Sequence, residues 1–287
     1  MSNDQKMPFL FGMNEFTTQP WSFEEDVARY KALGVDAIEI CEAKLDRSRA
    51  GEQIEFASET GLIISAIQPA VRTFFGSKMV PSPFEPNARA DAFEYSLKSL
   101  APYAPGSVFI CNTGAPPNGN IQFVLDETIR YLRRLCPIAL DLGVSLALEP
   151  LNPVSMNLES AICTIAQTMD IIDGVGHPAI GLCLDYWNIW QEDNVEAQIS
   201  RAGSKISVLQ ASDWRVPLSG ADRLIPGDGS IPLGTLLRAT HDAGYRGACT
   251  VEIFSDGVPD SLYRDDLQQV IQKSRLGLED AWENIPR

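Results

Sequence analysis

The amino-acid sequence predicts one closed (β/α)8 barrel of the TIM type, a single α/β domain over residues 1–287. Three observations point there: eight short apolar runs along the chain, amphipathic stretches of helical period between them, and no linker or composition shift that would divide it. A chain of 287 residues suits one barrel of about 250 residues. Apolar and charged fractions of 45% and 21% are those of a soluble globular protein with a substantial core.

The runs cover residues 9–13, 35–41, 62–68, 107–111, 144–149, 179–185, 206–210 and 248–254. Most are continuous rather than alternating, as expected of strands covered on both faces in a parallel sheet. After the first run, Ser22 and Glu25 form an S-x-x-E capping box, Phe23, Val27, Tyr30 and Leu33 share one helical face, and Gly34 ends the helix. The stretch 121–142 is helical in pattern, with Pro137 expected to kink or break it. Ile162, Ile165, Met169 and Ile172 repeat the pattern with Gly174 closing it, and Leu233, Leu236, Leu237 and Thr240 do so before Gly244. The longest irregular segments, 73–86, 113–120 and 211–232, each follow a strand, where barrels place functional loops. An open, doubly wound sheet is the rival architecture. The absence of a glycine-rich fingerprint after the first run counts against its nucleotide-binding form.

A formal charge of −15 repels a phosphate backbone, so nucleic acid is not an expected partner, and a neutral or metal-chelating small molecule suits the balance best. Cys41, Cys111, Cys136, Cys163, Cys183 and Cys249 are widely spaced with no C-x-x-C pair, which reads as buried reduced thiols. Residues 1–14 show no secretory pattern and no apolar run nears the roughly 20 residues of a membrane span. The expectation is a cytoplasmic protein without a membrane partner.

The informative residues stand where apolar runs end. Glu39 and Glu42 close the second run and Gln68 the third, Glu149 the fifth, Asp185 the sixth and Gln210 the seventh, while Glu252 lies in the eighth. A carboxylate or amide there is costly to bury unless paired or coordinated. One such residue marks a strand emerging into water; Glu149, Asp185, Gln210 and Glu252, at equivalent places on four consecutive strands, converge on one side of a barrel mouth. His177 precedes the sixth run and His241 lies inside a helix, so both read as structural. Pro226-Gly227-Asp228-Gly229 reads as a tight turn rather than a phosphate nest. Trp187, Trp190 and Trp214 crowd the loops after the sixth and seventh runs, as a wall beside a substrate or as packing beneath a loop. Arg72 and Lys44 are candidates for substrate contacts.

Five stretches carry a family resemblance: Ala147-Leu148-Glu149-Pro150-Leu151-Asn152, Gly181-Leu182-Cys183-Leu184-Asp185, Leu209-Gln210-Ala211-Ser212-Asp213, Arg223 with Pro226-Gly227-Asp228-Gly229, and Val251-Glu252-Ile253. In these the chain resembles the xylose isomerase-like barrel superfamily of sugar isomerases and epimerases, closely in the second half and in barrel pattern alone in the first. The resemblance implies a metal held by Glu149, Asp185 and Glu252, with Gln210 as fourth ligand where most members carry histidine. Asn188 likewise stands where a substrate-contacting histidine is usual. Some dehydratases of the superfamily resemble this chain in using glutamine. Carboxylates and an amide oxygen are hard donors, favouring Mn²⁺ or Mg²⁺ over Zn²⁺.

These features predict a metal-dependent isomerase or epimerase of a sugar or keto-polyol. Glu149 and Glu252 move the proton through an enediolate, and Arg223, Asn188, Gln68, Asp213 and Trp187 contact the substrate. A lyase using the same enolate is the second reading, and a non-catalytic sugar-binding barrel the third. The resemblance also suggests a homodimer or homotetramer.

Overall fold

The computed structural model describes residues 6–218 and 222–284. The N-terminal residues 1–5 and residues 219–221 of the long 211–232 segment lie outside the described residues.

Eight parallel strands close into a barrel: β1 (Leu10–Asn14), β2 (Ala37–Cys41), β3 (Ile63–Gln68), β4 (Val108–Cys111), β5 (Ser145–Leu148), β6 (Ile180–Asp185), β7 (Ile206–Ala211) and β10 (Ala248–Val251). Each pairs with its neighbours in chain order, and β10 pairs with β1 to close the ring, so the open doubly wound alternative is excluded. The remaining strands, β8 (Asp213–Trp214) and β9 (Arg223–Leu224), form a small antiparallel pair within the 211–232 segment. The outer layer comprises α1 (Phe23–Ala32), α2 (Ala50–Glu59), α3 (Pro86–Leu100), α4 (Ile121–Asp141), α5 (Ile165–Val175), α7 (Val195–Ala202), α8 (Leu233–Asp242) and α9 (Leu267–Glu283), while the single turn α6 (Tyr186–Ile189) directly follows β6.

Strand side chains alternate between two cores. One set, including Ile38, Ile40, Ile67, Phe109, Leu146 and Leu182, meets the helices in a continuous apolar shell. The other set points into the lumen, where Ala66, Val108, Ile110, Ala147, Cys183 and Val208 form a separate small cluster. Eight strands leave little room there, and at Gly12 none for a side chain: a Cβ would lie 2.7 Å from Thr250 Oγ1.

The predicted capping box is present, with Ser22 accepting from the Glu25 amide and Glu25 reaching back to the Ser22 amide. Gly34 and Gly244 follow their helices at φ +70° and +100°, where glycine adopts a backbone that other residues resist. Two helix expectations are corrected. Pro137 neither breaks nor ends α4, which runs unbroken from Ile121 to Asp141. Pro137 is exposed, so the carbonyl it deprives of a partner lies on the wet side, while Leu132, Leu135, Cys136 and Ala139 anchor the helix inside. Gly174 lies within α5, which ends at Val175 with Gly176 as its left-handed cap, and Ile162 precedes the helix capped by Thr164. All six cysteines are unpaired. Among the described residues no helix is long and apolar enough to cross a membrane.

Candidate active site

The lumen-facing positions end in polar residues. Two residues beyond Ala66, Ile110, Ala147, Cys183 and Val208 come Gln68, Asn112, Glu149, Asp185 and Gln210; on β1 and β10, Gly12 leads to Asn14 and Thr250 to Glu252. Glu39, on β2, completes the ring, and all eight are buried. Extra residues in the ladder re-aim two of them: the β2–β3 register shifts between Ile38 and Glu39, and the β6–β7 register between Leu182 and Cys183, after which Asp185 faces Gln210.

Glu149, Asp185 and Glu252 each bring one carboxylate oxygen into a group lying within 4.8 Å of one another. Each acid is oriented by different donors. Asn112 Nδ2 donates to Glu149 Oε2 at 2.9 Å, and Asn188 Nδ2 to Glu149 Oε1 at 2.9 Å and Asp185 Oδ2 at 2.7 Å. The Asn188 amide can turn no other way, because its Oδ1 accepts the Asn152 backbone N–H at 2.9 Å. On the other side, Glu252 Oε1 accepts from Gln68 Nε2 at 2.6 Å, Asn14 Nδ2 at 3.0 Å and Gln210 Nε2 at 3.3 Å. The same three amides donate to Glu39 Oε1 at 2.6–2.8 Å, leaving Glu39 Oε2 without a partner among the described residues. Arg223 Nη1 bridges Asp185 Oδ2 and Glu252 Oε2, at 2.9 Å from each. Its guanidinium packs over Trp187 and Phe254, 4.8 and 5.0 Å from the ring centroids.

The charge balance of this site is negative. Burial pushes the Glu149 carboxyl well above the usual carboxylate range, with Glu252 and Asp185 pushing the same way. Asp185 is raised to about 6, chiefly by burial, against the pull of Arg223. Glu39 is raised to about 8 by burial and then by Glu252, its three amide donors opposing. For Arg223, burial works to strip the proton and the carboxylates Asp185, Glu252 and Glu149 outweigh it. Three carboxylates sharing one guanidinium form an oxygen-rich seat with an unmet demand for positive charge, which a divalent cation would meet. The donor set therefore fits a divalent metal.

The acids open into a cavity of about 650 Å³ whose lining includes Gln68, Asn112, Glu149, Trp187, Asn188, Arg223 and Glu252. Asp213 stands apart. Its Oδ1 accepts the Trp214 and Ile231 amides and its Oδ2 the Gly227 amide, so it anchors the Pro226-Gly227-Asp228-Gly229 turn, which closes through the Asp228 N–H to Ile225 carbonyl bond. The Gly227 and Asp228 amides are thus already bonded, to Asp213 and to the Ile225 carbonyl, so the turn presents no open nest of amides. Gly229 is needed there, since a Cβ would lie 2.5 Å from Asp213 Oδ1. Lys44 is also committed elsewhere: its ammonium pairs with buried Asp26 and donates to the Glu15 and Thr18 carbonyls. Trp187 lines the cavity with Trp214 packed behind it at 4.7 Å. Neither histidine lines the cavity: His177 accepts the Ala179 amide and His241 packs against Phe9 and Trp282. Reading strand ends alone misses Asn14 and Asn112 and gives Glu39 no role; the two-residue parity along each lumen-facing strand locates all three.

A family model for the xylose isomerase-like TIM barrel matches residues 27–274. D-psicose 3-epimerase of Enterocloster bolteae is 26% identical over 83% of this chain and 80% of its own length. 3-Dehydroshikimate dehydratase of Pseudomonas putida is 26% identical over 91% of this chain and 41% of its own. Inosose isomerases and fructoselysine 3-epimerases also match, over about half their length. Among solved structures, protein SMc04130 of Sinorhizobium meliloti superposes with a TM-score of 0.82 at 25% identity, covering 95% of this chain and 98% of its own.

Proposed function

Since the chain belongs to the xylose isomerase-like TIM-barrel family, we propose that it is a divalent-metal-dependent isomerase or epimerase of a sugar or keto-polyol. The carrying observation is the pair of buried glutamates, Glu149 and Glu252, each held by its own donors within one carboxylate group. The relatives, which include sugar epimerases and inosose isomerases, support the same reading.

Glu149, Asp185 and Glu252 would hold the metal, joined by Gln210 once its amide is turned over. As placed, Gln210 Nε2 faces Glu39 and Glu252 while its Oε1 accepts the Cys183 thiol, and an amide exchanges the two ends without changing shape. All four offer oxygen, which favours Mn²⁺ or Mg²⁺. When bound, such an ion supplies Lewis acidity that polarises a substrate carbonyl and acidifies the neighbouring C–H. One glutamate removes that proton to give an enediolate and the other returns it from the opposite face. Asn112 and Asn188 keep the Glu149 carboxylate aimed; Asn14, Gln68 and Arg223 do so for Glu252. Arg223 steadies a substrate oxygen, Asn188 acts on the substrate through the two acids it holds, and Trp187 with Phe254 excludes water from one wall.

A second reading, loss of water from the same enediolate, is supported by the dehydratase relative and by glutamine at position 210. Product analysis by NMR in D₂O over ketoses and keto-inositols separates the two. Deuterium at one carbon with a new stereoisomer establishes the epimerase, loss of water establishes the lyase, and binding without either establishes a sugar-binding barrel.

A further inference from the structure

Resting on the reading of this cavity as the seat of a keto-polyol, we propose that the substrate carries a carboxylate recognised by Arg72, so that the compound turned over is an acidic keto-polyol rather than a neutral sugar. Arg72 follows β3 and is half-buried in the wall of the 650 Å³ cavity that holds Glu149 and Glu252. It also lines an adjoining chamber of about 260 Å³. In a chain of net charge −15, its guanidinium has no hydrogen bond or ion pair among the described residues, and it lies over the Phe16 ring, 5.6 Å from the centroid. Arg47 and Arg238 share that lack, but Arg47 is exposed and Arg238 packs on Trp282 outside the barrel. Only Arg72 among the three faces the cavity.

Its position is fixed by the catalytic machinery. The Arg72 carbonyl accepts the Asn112 backbone N–H at 2.8 Å, and Asn112 is the residue whose side chain aims Glu149. Phe16 packs on Phe254 with ring centroids 4.8 Å apart and planes tilted by 36°, and Phe254 in turn carries Arg223. An aromatic pair thus separates two arginines, one satisfied by Asp185 and Glu252 and the other unsatisfied. A half-buried guanidinium presents a planar fork of donors that matches a carboxylate, and a charge partly withdrawn from water gains from such a partner. Glu159, on the same wall, is engaged by Ser77 and the Met79 amide, so it does not fill this role. One guanidinium with exposed Lys78 at the rim suits a single-charged carboxylate.

The test compares D-fructose with D-fructuronate, and D-tagatose with D-tagaturonate, each pair differing only in a terminal CH₂OH oxidised to carboxylate. Binding to the Mn²⁺-loaded protein is measured by calorimetry, with deuterium exchange followed in parallel. The wild type should bind at least one uronate about ten-fold or more tighter than its neutral partner. The ratio should fall near one in Arg72→Gln and be partly kept in Arg72→Lys, with circular dichroism showing both variants folded. Equal binding within both pairs, no uronate binding, or an Arg72→Gln loss that is the same for both members of a pair overturns the proposal. An Arg72-dependent preference without exchange keeps it and removes the epimerase reading; exchange of neutral ketoses with no uronate preference does the reverse.

Discussion

Raising the pH in the absence of divalent ions should destabilise this protein, and a divalent ion should reverse the trend. Glu39 and Asp185 are fully enclosed, and burial lifts their carboxyls from 4.5 to about 8 and from 3.8 to about 6. A folded pKa above the unfolded one means that the stabilisation is fully present below the unfolded value and is lost as pH climbs through the folded value. The loss therefore falls between about pH 4 and 8. At about 1.4 kcal/mol per tenfold change in proton affinity, Glu39 alone accounts for about 5 kcal/mol and Asp185 for about 3 kcal/mol. Both interact with Glu252, so the sum is not additive and about 5 kcal/mol is the working scale. For a chain of this size that is a fall of about 10 °C in Tm. The acids whose carboxyls are lowered, such as Glu25, Glu94 and Glu127, add stability as pH rises only up to the ordinary carboxylate range, so most of their effect is complete by about pH 5 and does not mask the trend above it. Thermal unfolding in EDTA from pH 5 to 8.5, repeated with Mn²⁺ and Mg²⁺, reads both effects. Because ligands must lose protons to bind metal, stabilisation by the ion should be larger at pH 8 than at pH 5.5. Glu39→Gln should make the metal-free curve shallower, with Asp185 and Glu149 supplying the slope that remains. A metal-free Tm that is flat or rising over this range, or metal stabilisation greatest at acid pH, refutes the reasoning.

Three further outcomes are expected. Gln210→His should move metal preference toward Zn²⁺ or Co²⁺, read by competition between metals at equilibrium; an unchanged order of affinities would remove Gln210 from the ligand set. His177→Asn and His241→Asn should keep activity within a few-fold, since neither ring reaches the cavity; a loss of about 10²-fold or more in a folded variant would show an acid–base role. Gly229→Ala should cost about 1–3 kcal/mol of stability by forcing its Cβ against the Asp213 carboxylate and the Trp214 carbonyl, and a Tm equal to wild type would contradict that packing.

The barrel is legible because its strands and helices differ in period and each run is short enough to be one or the other. Pro137 and Gly174 mislead for one reason: both are local helix breakers, and the tertiary packing of α4 and α5 overrides them. The acids Glu149, Asp185 and Glu252 stand out as charges ending apolar runs, and the structure brings them together. Asn14 and Asn112 carry no charge and lie at or beyond strand ends, so they show only once lumen-facing parity is known. Whether Lys44 meets a substrate or an internal acid depends on Asp26, 18 positions away on α1, a pairing that no local pattern encodes. Asp213 is ambiguous likewise, since its partners Gly227 and Ile231 lie across the long loop.

The division of proton transfer between Glu149 and Glu252 is tested most directly by deuterium exchange in the two single variants, Glu149→Gln and Glu252→Gln, with both epimers of whichever substrate the D₂O panel identifies. Each glutamine keeps an oxygen for the metal and loses its basicity, so metal affinity should fall modestly while epimer interconversion collapses. Exchange should survive in each variant only for the epimer whose proton faces the remaining glutamate. Interconversion at near wild-type rate in either variant would contradict the two-glutamate account.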